Sequence, residues 1–176
     1  MDDAWGAMAD TRRRNIRRAE KDGVSIDMEA QFEDLWGLVE ETFRRQGMRV
    51  GFSSSAHRAN ELLSGTGKSK TLIARDESGK AIAGVYICWD WNRAYYLLGG
   101  YDTESSHHGG SALALWHAMR FAGEEAGLRA FDFEGSMVPA IERFFRKFGG
   151  VLTPYFEVVR ERPLIRWARN VVRLIR

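Results

Sequence analysis

One cysteine and three prolines in 176 residues leave little to staple the chain or break it. A single thiol, Cys88, forms no internal disulfide, so the chain reads as one suited to a reducing cytoplasm. No apolar run approaches the roughly 20 residues needed to cross a bilayer. The opening MDDAWGAMAD is acidic and lacks the basic-then-apolar layout of a secretory signal. Soft metal ligands are scarce too. His107 and His108 are adjacent, but the only other candidate nearby is His117, one helix deeper, and the spacing disfavours a metal centre. Internal repeats and low-complexity linkers are missing, and the length suits one domain, 1–176, with a proper core.

Charge is present but unevenly spread. The net charge is +2, yet residues 12–21 and residues 160–176 each carry six basic side chains against one acid, leaving −8 for the remainder of the chain. A basic helix at about 10–22 and a basic amphipathic helix at about 163–176 therefore flank a mildly acidic core. Two solvated helix faces explain this, and so does an anionic partner near the termini: tRNA, phosphates or a membrane surface, the last making a cytoplasmic protein peripheral to the membrane. In the second helix Leu164, Ala168, Val171, Val172 and Ile175 share a face, and Arg162, Arg166, Arg169, Arg173 and Arg176 line another. Docking on its own domain or on a second copy as a homodimer, lying on a membrane, and presenting arginines to RNA all remain open readings.

Between the basic ends, RRRNIRRAEKDG predicts a helix stopped at Gly23, and VSIDM a short strand. Phe32, Leu35, Trp36, Val39 and Phe43 recur at helical spacing, and SSAHRANELLSGTG predicts a second helix with a serine cap. Three strands follow: SKTLIARD, KAIAGVYICW across the turn Glu77-Ser78-Gly79, and RAYYLLGGYD. A polar loop, the helix SALALWHAMRFAGEEAG, a strand from Leu128 to Phe133, a helix with proline in its first turn, and a last strand VLTPYFEVVRER complete the order. The fold class is α+β, with a mixed central sheet flanked by helices; strand, helix and strand from Arg93 to Phe133 form a crossover between parallel neighbours.

Two stretches carry chemical potential. In SSHHGGSA, Gly109 and Gly110 let backbone approach a ligand, and the free N–H groups of the next helix favour an anion. Ser106, His107, His108, Gly109, Gly110 and Ser111 are thus candidate phosphate-binding residues. The plainer alternative is a helix entry capped by Ser106 or Ser111. In FDFEGSM, Asp132 and Glu134 stand two apart on a strand and share one face, with Phe131 and Phe133 on the other. Paired carboxylates are costly on a buried strand, so they are expected to line a cleft close to residues 106–111. Glu134 is the candidate base or amine-positioning group, with capping of the next helix as its alternative; Asp132 is a second catalytic candidate, with fixing the structure as the reading that competes with it.

The order of meander, glycine loop, helix, strand and helix resembles the GNAT acyltransferase fold. That family's pyrophosphate loop has the form Arg/Gln-x-x-Gly-x-Gly/Ala; here the window runs Ser106 to Ser111, with Gly109 matching and Ser106 and Ser111 departing. DFEGSMVPAIERFFRKFGG together with RRRNIRRAEKDGV is similar to the FemAB-type branch, corresponding to the C-terminal half of proteins about twice this length. Those include enzymes that add amino acids from aminoacyl-tRNA to peptidoglycan precursors. A lysine commonly follows the helix phenylalanine there; Phe145 stands in that place here, and no tyrosine occurs between Met137 and Gly150. The resemblance implies direct transfer from acetyl-CoA, another acyl-CoA or aminoacyl-tRNA to a primary amine on a small molecule or peptide. It leaves a non-catalytic binding module, or half of a two-domain enzyme, as alternatives. Such transfer needs a docked donor, a neutral amine, an oxyanion donor and a proton for the leaving group. A backbone N–H near Leu98 to Tyr101 suits the third, and Tyr101 or Tyr155 the fourth.

Overall fold

A three-stranded meander forms the centre of the sheet, as the alternating pattern predicts. The computed structural model describes residues 1–154, apart from Gln46, Ser106, His108 and Met137. Strands β1 (Ser25–Asp27), β2 (Ser69–Arg75), β3 (Ala81–Trp89), β4 (Arg93–Tyr101) and β5 (Ala130–Asp132) lie side by side in chain order. The first four are antiparallel, and β5 joins β4 in parallel. The β2–β3 turn is held by Asp76, whose Oδ1 accepts from the N–H groups of Ser78 (2.9 Å) and Lys80 (3.0 Å).

Helices α1 (Asp2–Ala7), α2 (Asp10–Lys21), α3 (Phe32–Arg45), α4 (Ser53–Ser64), α5 (Gly110–Arg120) and α6 (Pro139–Arg146) cover the sheet. Strand alternation sorts the side chains. Ile73 and Tyr86 face Phe32, Leu35, Trp36, Leu38 and Val39 of α3. Leu72, Ala74, Val85 and Ile87 face the other way, into a larger core with Ile16 and Ala19 of α2 and Leu113 of α5. α5 ends in a π-helical turn, Phe121–Glu125, where the Ala126 N–H reaches back five residues to Phe121 O. Among the described residues no helix is long and apolar enough to cross a membrane.

Several expectations change. The acidic opening forms α1, held by Arg13, whose Nη1 donates to the carbonyls of Gly6 (2.9 Å) and Met8 (2.8 Å). No serine caps α4: its N-cap is Phe52, and Ser53 is already helical. Among the described residues no side chain caps α5, which starts from Gly109; the alternative cap, Ser106, lies outside them. The strand expected from Leu128 to Phe133 shrinks to three residues, because the N–H groups of Leu128 and Arg129 bond to Ala122 and Asn92 and Glu134 enters the left-handed region at φ 58°. Residues 151–154 form no regular element, and the rest of the expected last strand, Tyr155 and the helix at 163–176 lie outside the described residues.

The basic helix is not simply a solvated face. Arg12 is 6% exposed, and its guanidinium lies 4.1 Å from the Phe144 ring centre and 4.6 Å from that of Phe148. It donates to Phe144 O at 3.1 Å, while its Nε has no partner. Burial pulls its pKa down to about 10. The aromatic faces and the carbonyl offset a desolvation cost of about 1–3 kcal/mol for the unpaired N–H. Arg12 thus ties α2 to α6, leaving Arg14, Arg17, Arg18 and Lys21 for the surface.

Candidate active site

Residues of β4 divide into two stretches. From Arg93 to Tyr95 the strand is bonded on both edges, since Arg93, Ala94 and Tyr95 face Ala130, Phe131 and Asp132 of β5. From Tyr96 onward β5 has diverged, and among the described residues only β3 remains alongside. A bulge marks the divergence. Tyr86 faces Leu98 while Ile87 faces Tyr96, so Leu97 is the extra residue. The Asp102 N–H donates to Ile82 O at 2.8 Å, which fixes the alternation beyond the bulge. Leu98 and Gly100 turn their backbone groups toward β3, and Gly99 and Tyr101 turn theirs toward the open side. Tyr101 O is met there by Arg45 Nη2 at 2.8 Å. The Gly99 N–H faces the gap.

The glycines of this stretch are required by neighbours. A β-carbon on Gly100 would come within 2.6 Å and 2.7 Å of the α3 backbone at Leu38 and Val39. One on Gly99 would collide with the Tyr96 hydroxyl. That phenol projects onto the α6 side, its ring 5.2 Å from Phe145 in an edge-to-face contact. Burial alone raises its pKa to about 12. The Tyr86 hydroxyl, by contrast, is fully enclosed on the α3 side of the sheet, with the Ser69 hydroxyl as its nearest polar neighbour.

The glycine loop sits at the far end of the open stretch. Gly109 and Gly110 are buried, but what approaches them is protein. A β-carbon on Gly109 would overlap Asn15 O of α2, and one on Gly110 would press on Ile82 at 3.1 Å. Their smallness therefore serves packing of α2 and β3, a different reason from ligand approach. Ser111 lies half-buried in the first turn of α5, whose N–H groups meet no side-chain cap among the described residues, an arrangement that favours an anion. The His107 N–H donates to Ser105 Oγ at 3.2 Å. Ser106 and His108 lie outside the described residues.

The two carboxylates behave differently. Asp132 is committed: Arg93 Nη1 donates to its Oδ2 at 2.7 Å and the Glu134 N–H to its Oδ1 at 2.9 Å. Glu134 is exposed and lies past the strand, so the expected alternation does not apply to it. Its charge, after burial itself, helps push the Cys88 thiol pKa up, which puts Glu134 over the Cys88 face of the sheet. The pairing that carries Asp132 ends level with Tyr95, just before the bulge. Four residues of β4, about 13 Å, separate the bulge from the strand's end.

Tyr96 and Arg12 escaped the sequence reading. The signal for Tyr96 was Gly99 three residues later, which makes sense only beside a bulge. Arg12 was hidden within a run of like charges.

Residues 8–146 match the family model described as the acetyltransferase (GNAT) domain. Among solved structures the chain is similar to FemX, with a TM-score of 0.71 and 14% identity, covering 84% of this chain and 55% of that one. It therefore spans about half the length of FemX. It is also similar to AAC(6')-Iy, solved with the bisubstrate analogue CoA-S-monomethyl-acetylneamine (TM-score 0.60, 18% identity, 79% of this chain and 98% of that one). Glucosamine-6-phosphate N-acetyltransferase from Arabidopsis thaliana gives a TM-score of 0.55 at 12% identity, covering 78% and 97%. At these identities the likeness is one of fold. No curated protein sequence matches the chain.

Proposed function

Because the chain belongs to the acetyltransferase (GNAT) domain family, we propose that it moves an acyl group from acyl-CoA to a primary amine by direct attack in the gap between β4 and β5. The observation that carries this reading is the open stretch of β4, with an outward N–H at Gly99, an uncapped helix start at one end and Glu134 at the other. An acyl carrier with phosphates and reactive carbonyl at opposite ends of a flexible arm suits that spacing. The first turn of α5, at Ser111, takes the phosphates. The Gly99 N–H meets the oxygen that becomes negative as the carbonyl is attacked. Glu134 receives the amine's proton or holds the amine, and Asp132, locked to Arg93, sets where Glu134 begins.

The finer placement is the FemAB-type branch, supported by the Asp132-Phe133-Glu134-Gly135-Ser136 stretch and by the likeness to FemX. A chain spanning 55% of FemX leaves the acceptor cleft to be completed by a second copy or another half. An aminoacyl-tRNA donor is the less favoured reading: where the family's helix carries lysine, Phe145 is buried against Tyr96 and Phe133.

Thermal shift and calorimetry with acetyl-CoA, CoA and bulk tRNA test the donor. Acetyl-CoA and CoA are expected to raise the melting temperature and tRNA to leave it unchanged. Ser111→Glu, a negative charge that a helix start tolerates well, is expected to keep the fold and weaken CoA binding at least about tenfold. An unshifted melting temperature with both CoA species would refute the proposal.

A further inference from the structure

Helix α1, the π-helical turn and β5 enclose a groove of about 240 Å³. Its walls are mostly apolar: Ala4 and Ala7 of α1, Ala122 and Gly123 of the turn, and Phe131 and Phe133 at and just beyond β5. Four of these six present a methyl group or less, which leaves room for a neighbour's side chains to enter. An apolar trough of this kind is stabilised by being covered. Carboxylates gather at one rim. Met1 Sδ lies against Gly123, so the start of α1, with Asp2 and Asp3, stands beside the turn that carries Glu124 and Glu125. All four acids are exposed, and only Glu124 has an ion pair among the described residues, to Arg120 at 2.9 Å. Arg129 is the one basic side chain in the lining. The chain itself leads out of this groove. A β-carbon on Gly149 would come within 2.7 Å of Ala7 O, and one on Gly150 would touch the Phe133 ring at 3.2 Å.

We propose that this groove is the seat of the chain's own residues 163–176, laid in it with their apolar face inward. These residues lie outside the described ones, and their sequence reads as an amphipathic helix. Leu164, Trp167, Ala168, Val171, Leu174 and Ile175 recur at the three-and-four spacing of one helical face, opposite the arginines. Twelve residues, 151–162, separate the groove from that helix. At roughly 3.3 Å each they reach about 40 Å, enough to leave the groove and come back. The charges match as well, an arginine-rich segment against a carboxylate rim, which orients the helix more than it holds it. Burial of the apolar face holds it. A membrane or an RNA would cover the helix and leave the groove bare. Exchange with a second copy would cover both, but the short connector gives the segment of the same chain the higher effective concentration. Seated so, the helix clamps α1 to the end of α5 and to β5, whichever donor the gap takes.

Disulfide trapping in the full chain tests the seat, on a Cys88→Ala background. Ala4→Cys, in the groove, is combined in turn with Leu164→Cys, Ala168→Cys, Val171→Cys or Ile175→Cys on the apolar face, and with Arg166→Cys or Arg173→Cys on the other. At least one apolar-face pair is expected to close within a single chain under mild oxidation, about tenfold faster than either arginine-face pair. Closure at equal rates on both faces, closure only between two chains, or no closure at any apolar-face position overturns the proposal. A second readout needs no cysteine. Val171→Asp forces a charge into the groove and is expected to lower the melting temperature by about 4 °C or more at every protein concentration, while Arg173→Asp shifts it far less. A melting temperature unmoved by Val171→Asp also refutes the seat, and a loss that fades on dilution gives the groove to a second copy instead.

Discussion

The two stretches of β4 were made from one continuous strand and came out opposite. Arg93 to Tyr95 is closed, bonded to strands on both sides, with Arg93 pinned to Asp132 and Tyr95 to Asp90. Tyr96 to Tyr101 is open: one edge is free of β5, a bulge breaks the register, and two glycines replace side chains. Ordinary strand chemistry stabilises the first. The second withholds it: among the described residues Tyr101 O is met by Arg45 instead of a strand, and the Gly99 N–H is left for the acyl oxygen proposed above. The change is made by Glu134 and Gly135, whose φ values of 58° and 68° turn the chain away after only three residues of β5.

If that division holds, substitutions should sort by stretch. The largest effect is expected at Gly100→Val. Its β-carbon meets the α3 backbone, which cannot rotate aside, and the loss should be about 3 kcal/mol or more by urea denaturation. Gly99→Ala meets the end of a side chain, the Tyr96 hydroxyl and the ring carbon that bears it, with the Gly84 carbonyl farther off at 3.3 Å, so its stability loss should be smaller and its main effect on CoA affinity. An equal stability loss at both positions would break the comparison.

A smaller effect is expected in the closed stretch. Asp132→Ala removes the ion pair to Arg93 and the bond from the Glu134 N–H, and should cost about 1 kcal/mol with CoA affinity unchanged. Loss of CoA binding there would show that the two stretches act as one.

The smallest is a pH effect. The N–H groups of Asn92 and Arg93, then the Tyr95 hydroxyl, hold the Asp90 carboxyl below the usual range. A depressed folded-state pKa contributes stability above the unfolded value, about 4, and loses it as pH falls through the folded one. Asp90→Asn should therefore flatten the acid limb of the stability profile and leave the neutral plateau unaltered in shape. Thermal melts between pH 2 and 6 would measure it, and an acid limb as steep as the wild type's would discount the hairpin's part.

Apolar periodicity was enough to locate α3, α5 and the meander, because each buries one face on a sheet that strand alternation had already defined. It failed where a contact distant in sequence decides the outcome. Whether Asp132 acts or holds depends on Arg93, 39 residues away, and Arg12 goes inside because Phe144 and Phe148, more than 130 residues later, offer it their faces. Gly109 reads as a ligand contact in one dimension, yet it is the notch into which the Asn15 carbonyl fits. The acidic opening gave no sign that it would fold into α1, since the arginine that satisfies its last carbonyls comes from the next helix.

That notch also determines what can be cut away. The same helix whose Asn15 fills it sends Ile16 into the core and Arg12 to α6, so it braces the start of α5 and α6 at once. Cleavage that freed residues 1–21 would do more than trim a basic handle. It would take Ile16 and Ala19 out of the larger core, open the notch at Gly109 and leave α6 without Arg12, loosening two helices through the loss of one.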